Sequence, residues 1–179
     1  MGKYQQELTR SMTLLGEDPR VFFLGQAVAY PGTAMSGTLV NVPKEKLIEY
    51  PVAEEMQMGA SIGLSLGGFI PVTIYPRFNF LLLAMNQLIL HLDKLAQMSQ
   101  NGYHPKVIIR TSVGSERPLH PSYQHVGNFS QAFKLMLDNV EVIELNEPES
   151  IFPAYEKALN REDRKSTLLV EIGDYYAEK

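Results

Sequence analysis

Glu54 and Glu55 stand side by side just after Pro51, and the histidines His91, His104, His120 and His125 follow further along the chain. A carboxyl group can exchange a proton with a bound base, and an imidazole changes charge near neutral pH. Residue type alone does not assign either role. An acid at the start of a helix is welcomed by the positive end of the helix dipole whether or not it does chemistry, and Glu54 or Glu55 could fill that place. The histidines show no familiar metal spacing, and His91 falls inside an apolar stretch where a packed or surface role suffices. There are no cysteines, which excludes thiolate catalysis, disulfides and cysteine-bound zinc or iron–sulfur centres. No G-x-G-x-x-G follows the first expected strand. A P-loop lysine and a nucleophile elbow are also absent from the sequence.

The elements that must position these groups can be read from periodicity. Leu8, Met12 and Leu15 give a helix over Tyr4–Leu15, stopped by Gly16-Glu17-Asp18-Pro19. Val21–Leu24 reads as a short buried strand broken by Gly25. Ala29–Pro43 reads as a loop, and Leu47–Tyr50 as a brief strand ended by Pro51. Ala53–Leu66 reads as a helix rich in Gly59, Ala60, Ser61, Gly63 and Ser65, closed by Gly67-Gly68. An alternating strand is expected over Phe69–Tyr75, a long apolar helix over Phe78–Met98 and a strand over Lys106–Thr111. A polar loop over Ser112–Gln124 follows. Helix is then expected over Phe129–Leu137 and Pro148–Leu159, and strand over Val140–Leu145 and Thr167–Ile172. Helix and strand alternate almost throughout. That is the pattern of an α/β fold, three layers and doubly wound, with a mostly parallel sheet covered by helices on both faces. A ligand should then lie at the carboxyl ends of the strands.

Bulk properties narrow the function classes. The chain has 179 residues, 45% hydrophobic and 20% charged, which is ordinary globular usage. A net charge of −4 and a pI near 5.6 advertise no surface for nucleic acid or anionic membrane. The run Phe78–Leu92 is interrupted by polar residues and too short to span a bilayer. Met1–Glu7 lacks the apolar core of a signal peptide, so a cytoplasmic protein of one domain over 1–179 is expected.

From Tyr50 onward the sequence resembles the pyrimidine-binding domain of transketolase-like thiamine diphosphate enzymes. The likeness is nearest to the beta subunit of the 2-oxo acid (pyruvate or branched-chain) dehydrogenase component. Pro51-Val52-Ala53-Glu54 matches a Pro-x-x-Glu element, followed by the Gly-rich helix from Gly59. Gly67–Val72, Phe78-Asn79-Phe80, Val107–Thr111, Tyr123-Gln124-His125, Ala132-Phe133, Val140–Ile143 and Pro148 follow in the family's order. Pro-x-x-Glu alone is common; the ordered set carries the likeness.

The resemblance implies thiamine diphosphate as cofactor, with Glu54 the carboxyl that activates it from the pyrimidine side. It implies Phe80 as the aromatic stacked on that ring, with Tyr75 and Phe78 as alternatives. It places His125 near the reacting end, with His120 a competitor in the same loop. The Gly-Asp-Gly…Asn signature that holds metal and diphosphate is absent. A second subunit would therefore supply that domain and the Mg ion, in a homodimer or α2β2-type assembly. The implied activity is decarboxylation or C–C cleavage of a 2-oxo acid or ketose, with acyl or ketol transfer. Alternatives are a non-oxidative 2-oxo acid decarboxylase or acyloin synthase subunit, and a non-catalytic binding or regulatory remnant.

The sequence departs from the family in three places. Gln26 stands where many relatives have Glu, which puts communication between paired sites in doubt. Pro76 stands where they have Gln, so Arg77 and Ser115-Glu116-Arg117 are candidates to shape an unusual substrate pocket. The family's C-terminal domain has no counterpart in this sequence.

Overall fold

The computed structural model describes residues 2–178 except 31, 118, 119 and 164. Residues 118 and 119 of the expected polar loop lie outside the described residues. Six strands form one parallel sheet in the order β2-β1-β3-β4-β6-β5. These are β1 Val21–Gly25, β2 Leu47–Glu49, β3 Ile70–Tyr75, β4 Ile108–Val113, β5 Val140–Leu145 and β6 Ser166–Ile172. The helices are α1 Lys3–Glu17, α2 Glu54–Leu66, α3 Phe78–Leu81, α4 Leu95–Met98, α5 Ser130–Met136, α6 Pro148–Asn160 and α7 Tyr175–Glu178.

Each face of the sheet buries its own core. On one face Leu8, Met12 and Leu15 of α1 and Ile151 and Tyr155 of α6 pack on Phe23, Val72 and Ile108. On the other, Met58 of α2, Leu81, Leu88 and Phe133 of α5 pack on Ile109, Leu168 and Val170. Adjacent residues of β4 and β6 serve opposite cores, as the two-residue period of a strand requires. Every residue of β3 is buried, because β3 is central and covered on both sides. The alternation expected there marks which face each side chain serves rather than a wet face and a dry one.

The stretch Phe78–Met98 is not one α-helix. After α3 it tightens into a 3₁₀ turn at Leu82–Ala84, widens into a π-helix over Asn86–Leu92, and resumes as α4. Leu81, Ala84, Leu88 and Leu92 all reach the core, so apolar spacing alone could not reveal the change in winding. Just after the wide segment Asp93 donates its N–H to Leu88 O five residues back (3.0 Å). Its buried carboxylate accepts the N–H groups of Asp138 and Asn139 at 2.9 and 2.7 Å. A 3₁₀ turn at Ser36–Leu39 inside the expected loop, and the short α7, are further elements that periodicity did not mark.

Beneath the strand ends lies a buried ion pair. Arg110 of β4 and Glu171 of β6 are fully buried and bonded through Nε at 2.5 Å and Nη2 at 3.1 Å. Tyr155 donates to Glu171 at 2.6 Å, and Tyr176 of α7 adds a second hydroxyl. Burial and the neighbouring Glu171 charge push both phenols up, and the facing carboxylate holds Arg110 charged despite burial.

Candidate active site

The chain leaves β1 towards β2 and leaves β3 in the opposite direction, towards β4. The connections after these two adjacent strands therefore diverge, opening a crevice at their carboxyl ends. The turn after β1 is held by Glu49, the last residue of β2. Its carboxylate accepts the N–H groups of Ala27, Val28 and Ala29 at 2.6, 3.0 and 2.9 Å. At Gly25 a Cβ would lie 2.6 Å from Ile74 O, so only glycine lets β1 end this close to β3.

Glu54 is the first residue of α2 and, at 7% exposure, is buried. Gln57, one turn on and 1% exposed, fixes that helix end to the sheet. Its Nε2 donates to Thr73 Oγ1 at 2.8 Å and to Ile74 O at 3.0 Å. Tyr75 donates its hydroxyl to Glu54 O at 3.2 Å, and burial pushes that phenol up. The Glu54 carboxylate takes one long hydrogen bond, from Gln26 Nε2 to Oε1 at 3.4 Å. It borders an open groove of about 760 Å³ with Met56, Gly59, Ala60, Leu83 and Gln87. Glu55, in contrast, is exposed and accepts from Asn86 Nδ2 at 3.0 Å. The two neighbouring acids thus have different environments, a distinction their types could not make.

A second cluster forms where the 3₁₀ turn Tyr123–His125 meets α3. His125 and the partly exposed Phe80 approach at 5.8 Å between ring centroids. His125 Nδ1 lies 3.2 Å from Asn79 Oδ1, and Nε2 lies 3.3 Å from Gln124 Nε2. An acceptor oxygen at Nδ1 and a donor amide at Nε2 both suit the neutral ring protonated on Nδ1, with its lone pair on Nε2. His120 is elsewhere, with its ring against Tyr123 at 5.6 Å and Nε2 at 3.6 Å from Glu116.

Of the expected residues, the fold brings His125 to Phe80 and sets Glu54 at the groove, within reach of Gln26. The alternatives for Phe80 are occupied otherwise. Tyr75 is buried under Glu54, and Phe78 packs in the core against Phe129 and Phe133 at 5.5 and 5.3 Å. Sequence reasoning missed Glu49, Gln57 and Asn79 as positioning residues. An acid ending a strand just before Pro51, and an amide one turn after Glu54, were the available signals. Among the described residues no three of His, Asp and Glu cluster as metal ligands, and no helix is long and apolar enough to cross a membrane.

The family model for the transketolase pyrimidine binding domain matches residues 6–174. The 2-oxoisovalerate dehydrogenase subunit beta of Bacillus subtilis is 29% identical over 100 residues, 54% of this chain and 31% of that protein. A pyruvate dehydrogenase E1 component subunit beta from Gracilaria tenuistipitata is 30% identical over 105 residues, 57% of this chain and 32% of that one. The chain thus spans about a third of the length of these curated relatives. Among solved structures, a split gene transketolase described as an inactive beta4 tetramer superposes with a TM-score of 0.71 at 18% identity, covering 95% of this chain and 51% of that one. Transketolase from Leishmania mexicana gives 0.72 at 19% identity, covering 93% and 24%.

Proposed function

The chain belongs to the transketolase pyrimidine-binding domain family, and on that premise we propose that it is the pyrimidine-binding subunit of a split thiamine diphosphate enzyme acting on a 2-oxo acid or ketose. The buried Glu54 carboxylate, anchored at the first turn of α2 and bordering the open groove, carries this reading. The residues fit an aminopyrimidine. A carboxylate with one long hydrogen bond among the described residues retains acceptor capacity for a ring nitrogen, and the partly exposed Phe80 offers a face for stacking.

When bound, the cofactor supplies a nucleophilic carbon able to attack a carbonyl. The work of this chain is orientation and proton placement. Glu54 would meet the pyrimidine nitrogen and exchange a proton with it. Tyr75 and Gln57 keep the backbone under Glu54 in place, so its carboxylate spends little freedom on binding. His125, oriented by Asn79 at Nδ1, would accept or return a proton at the substrate through Nε2 in exchange for its contact with Gln124.

The diphosphate and Mg ion would be held by a second subunit. Support comes from the likeness to a split gene transketolase described as an inactive beta4 tetramer. Calorimetric titration with thiamine diphosphate and Mg, with and without the diphosphate-binding partner, tests the pairing. Tight binding is expected only for the pair. In that pair Glu54→Gln should lower turnover roughly 10²–10⁴-fold while the fold persists; full activity would refute the reading.

A further inference from the structure

Glu49 lies beside Gly25 in the parallel register, each the last residue of its strand. From there its carboxylate meets three successive N–H groups just past β1, those of Ala27, Val28 and Ala29. Successive N–H groups turned toward one point form an anion-binding nest, and the anion here is the protein's own carboxylate. Tyr50, the next residue, donates its N–H to Gly25 O at 2.9 Å. The end of β2 therefore grips the turn after β1 at both of its ends.

Ala27, inside the nest, has φ +53°. That left-handed conformation is disfavoured for any residue with a Cβ, and it persists where the surroundings over-determine it. Glu49 does so, because it binds the N–H of the peptide before Ala27 and the N–H of the peptide after it. Gln26 directly precedes this forced bend. Its Nε2 reaches Glu54 Oε1 at 3.4 Å, which is long for an N–H···O bond, so a small rotation of the turn would break it.

The two ends of that contact are anchored separately. Glu54 rides on α2, which Gln57 and Tyr75 tie to β3. Gln26 rides on the turn that Glu49 ties to β2, at the edge of the sheet. Loosening one anchor should move one partner and leave the other in place.

We propose that Glu49 is a positioning residue for the acid at the groove: by holding Ala27 in its left-handed conformation it aims Gln26 at Glu54 and so orients that carboxylate for a ligand. The inference rests on the proposed function for the use made of Glu54, while the relay from Glu49 to Gln26 is a property of this chain alone.

The test reads the Gln26 side-chain amide in the ¹⁵N-labelled full chain, assigned by its disappearance in Gln26→Ala. Glu54→Gln should shift that amide in an otherwise wild-type chain and should not shift it in Glu49→Ala. Glu49→Gln, which keeps one acceptor oxygen, should retain part of the response. Hydrogen exchange at Ala27, Val28 and Ala29 should quicken about tenfold or more in Glu49→Ala, while Val72 and Ile109 keep their rates. A turn that serves stability alone would show faster exchange and yet leave the Gln26 amide responsive to Glu54. That outcome, or unchanged exchange, would overturn the relay. In the pair with the diphosphate-binding subunit, Glu49→Ala and Gln26→Ala should each weaken thiamine diphosphate binding roughly two- to tenfold, and the double variant no further than either alone. Losses that multiply would overturn the relay as well. A wild-type pair that does not bind thiamine diphosphate ends the cofactor reading and leaves the amide measurement to decide the relay.

Discussion

Gln26 Nε2 reaches Glu54 Oε1 at 3.4 Å across the crevice between β1 and α2. Gln26, expected from the resemblance to stand in place of an acid, thus touches the glutamate the resemblance singles out. An amide there donates a weak hydrogen bond and adds no charge. Gln26→Glu would set a second carboxylate against the first at a part-buried position, and two like charges resist that approach. Gln26→Glu should therefore unfold at lower urea than Gln26→Ala at neutral pH, and equal midpoints would contradict the contact.

Asn79→Ala removes the oxygen that faces His125 Nδ1. The expected result is loss of the preferred Nδ1–H tautomer, visible in the imidazole ¹⁵N shifts, together with a fall in kcat larger than any change in KM. Asn79→Asp keeps an acceptor and should preserve the tautomer. A fold defect alone would not give that rescue.

Gln57→Ala leaves the hydroxyl of Thr73 and the carbonyl of Ile74 without their buried donor. A loss of about 1–3 kcal/mol in urea unfolding is expected, the range for stranded buried polar groups. Because the same amide fixes the first turn of α2, faster hydrogen exchange at residues 54–58 should accompany it.

Arg110→Met strips the partner from a fully buried Glu171. Breaking one side of such a pair costs on the order of 3–5 kcal/mol. The double variant Arg110→Met, Glu171→Leu removes both charges and should recover part of that loss, measured by thermal or urea unfolding.

Acid should weaken the protein through its outer ion pairs. Hydrogen bonding to Arg161 holds Asp163 down to about 2, Arg20 lowers Asp18 and Lys134 lowers Glu144. A lowered folded-state value means the stabilisation is complete above the unfolded carboxylate pKa near 4, and is lost as pH falls from there through the folded values. Each pair is partly exposed, so a shallow decline is expected below about pH 4, and raised salt should flatten it further.

Much of this protein was fixed by sequence pattern. Apolar period gave the helix and strand order, because burying one face of each element leaves a local imprint on residue choice. Val140–Leu145 ran to its expected ends, and Gly67-Gly68 did close α2, with Gly68 at φ +91°. The ordered matches from Pro51 to His125 pointed to Glu54, Phe80 and His125 before any geometry was known. The tertiary structure alone decided which of two adjacent acids is buried, that Phe78 is core while Phe80 is partly exposed, and that His125 rather than His120 meets Phe80. It alone showed the π-helical segment and the Glu49 clamp. Each of these depends on what lies opposite in space, from strands and loops distant in the chain, and a local pattern carries no record of that.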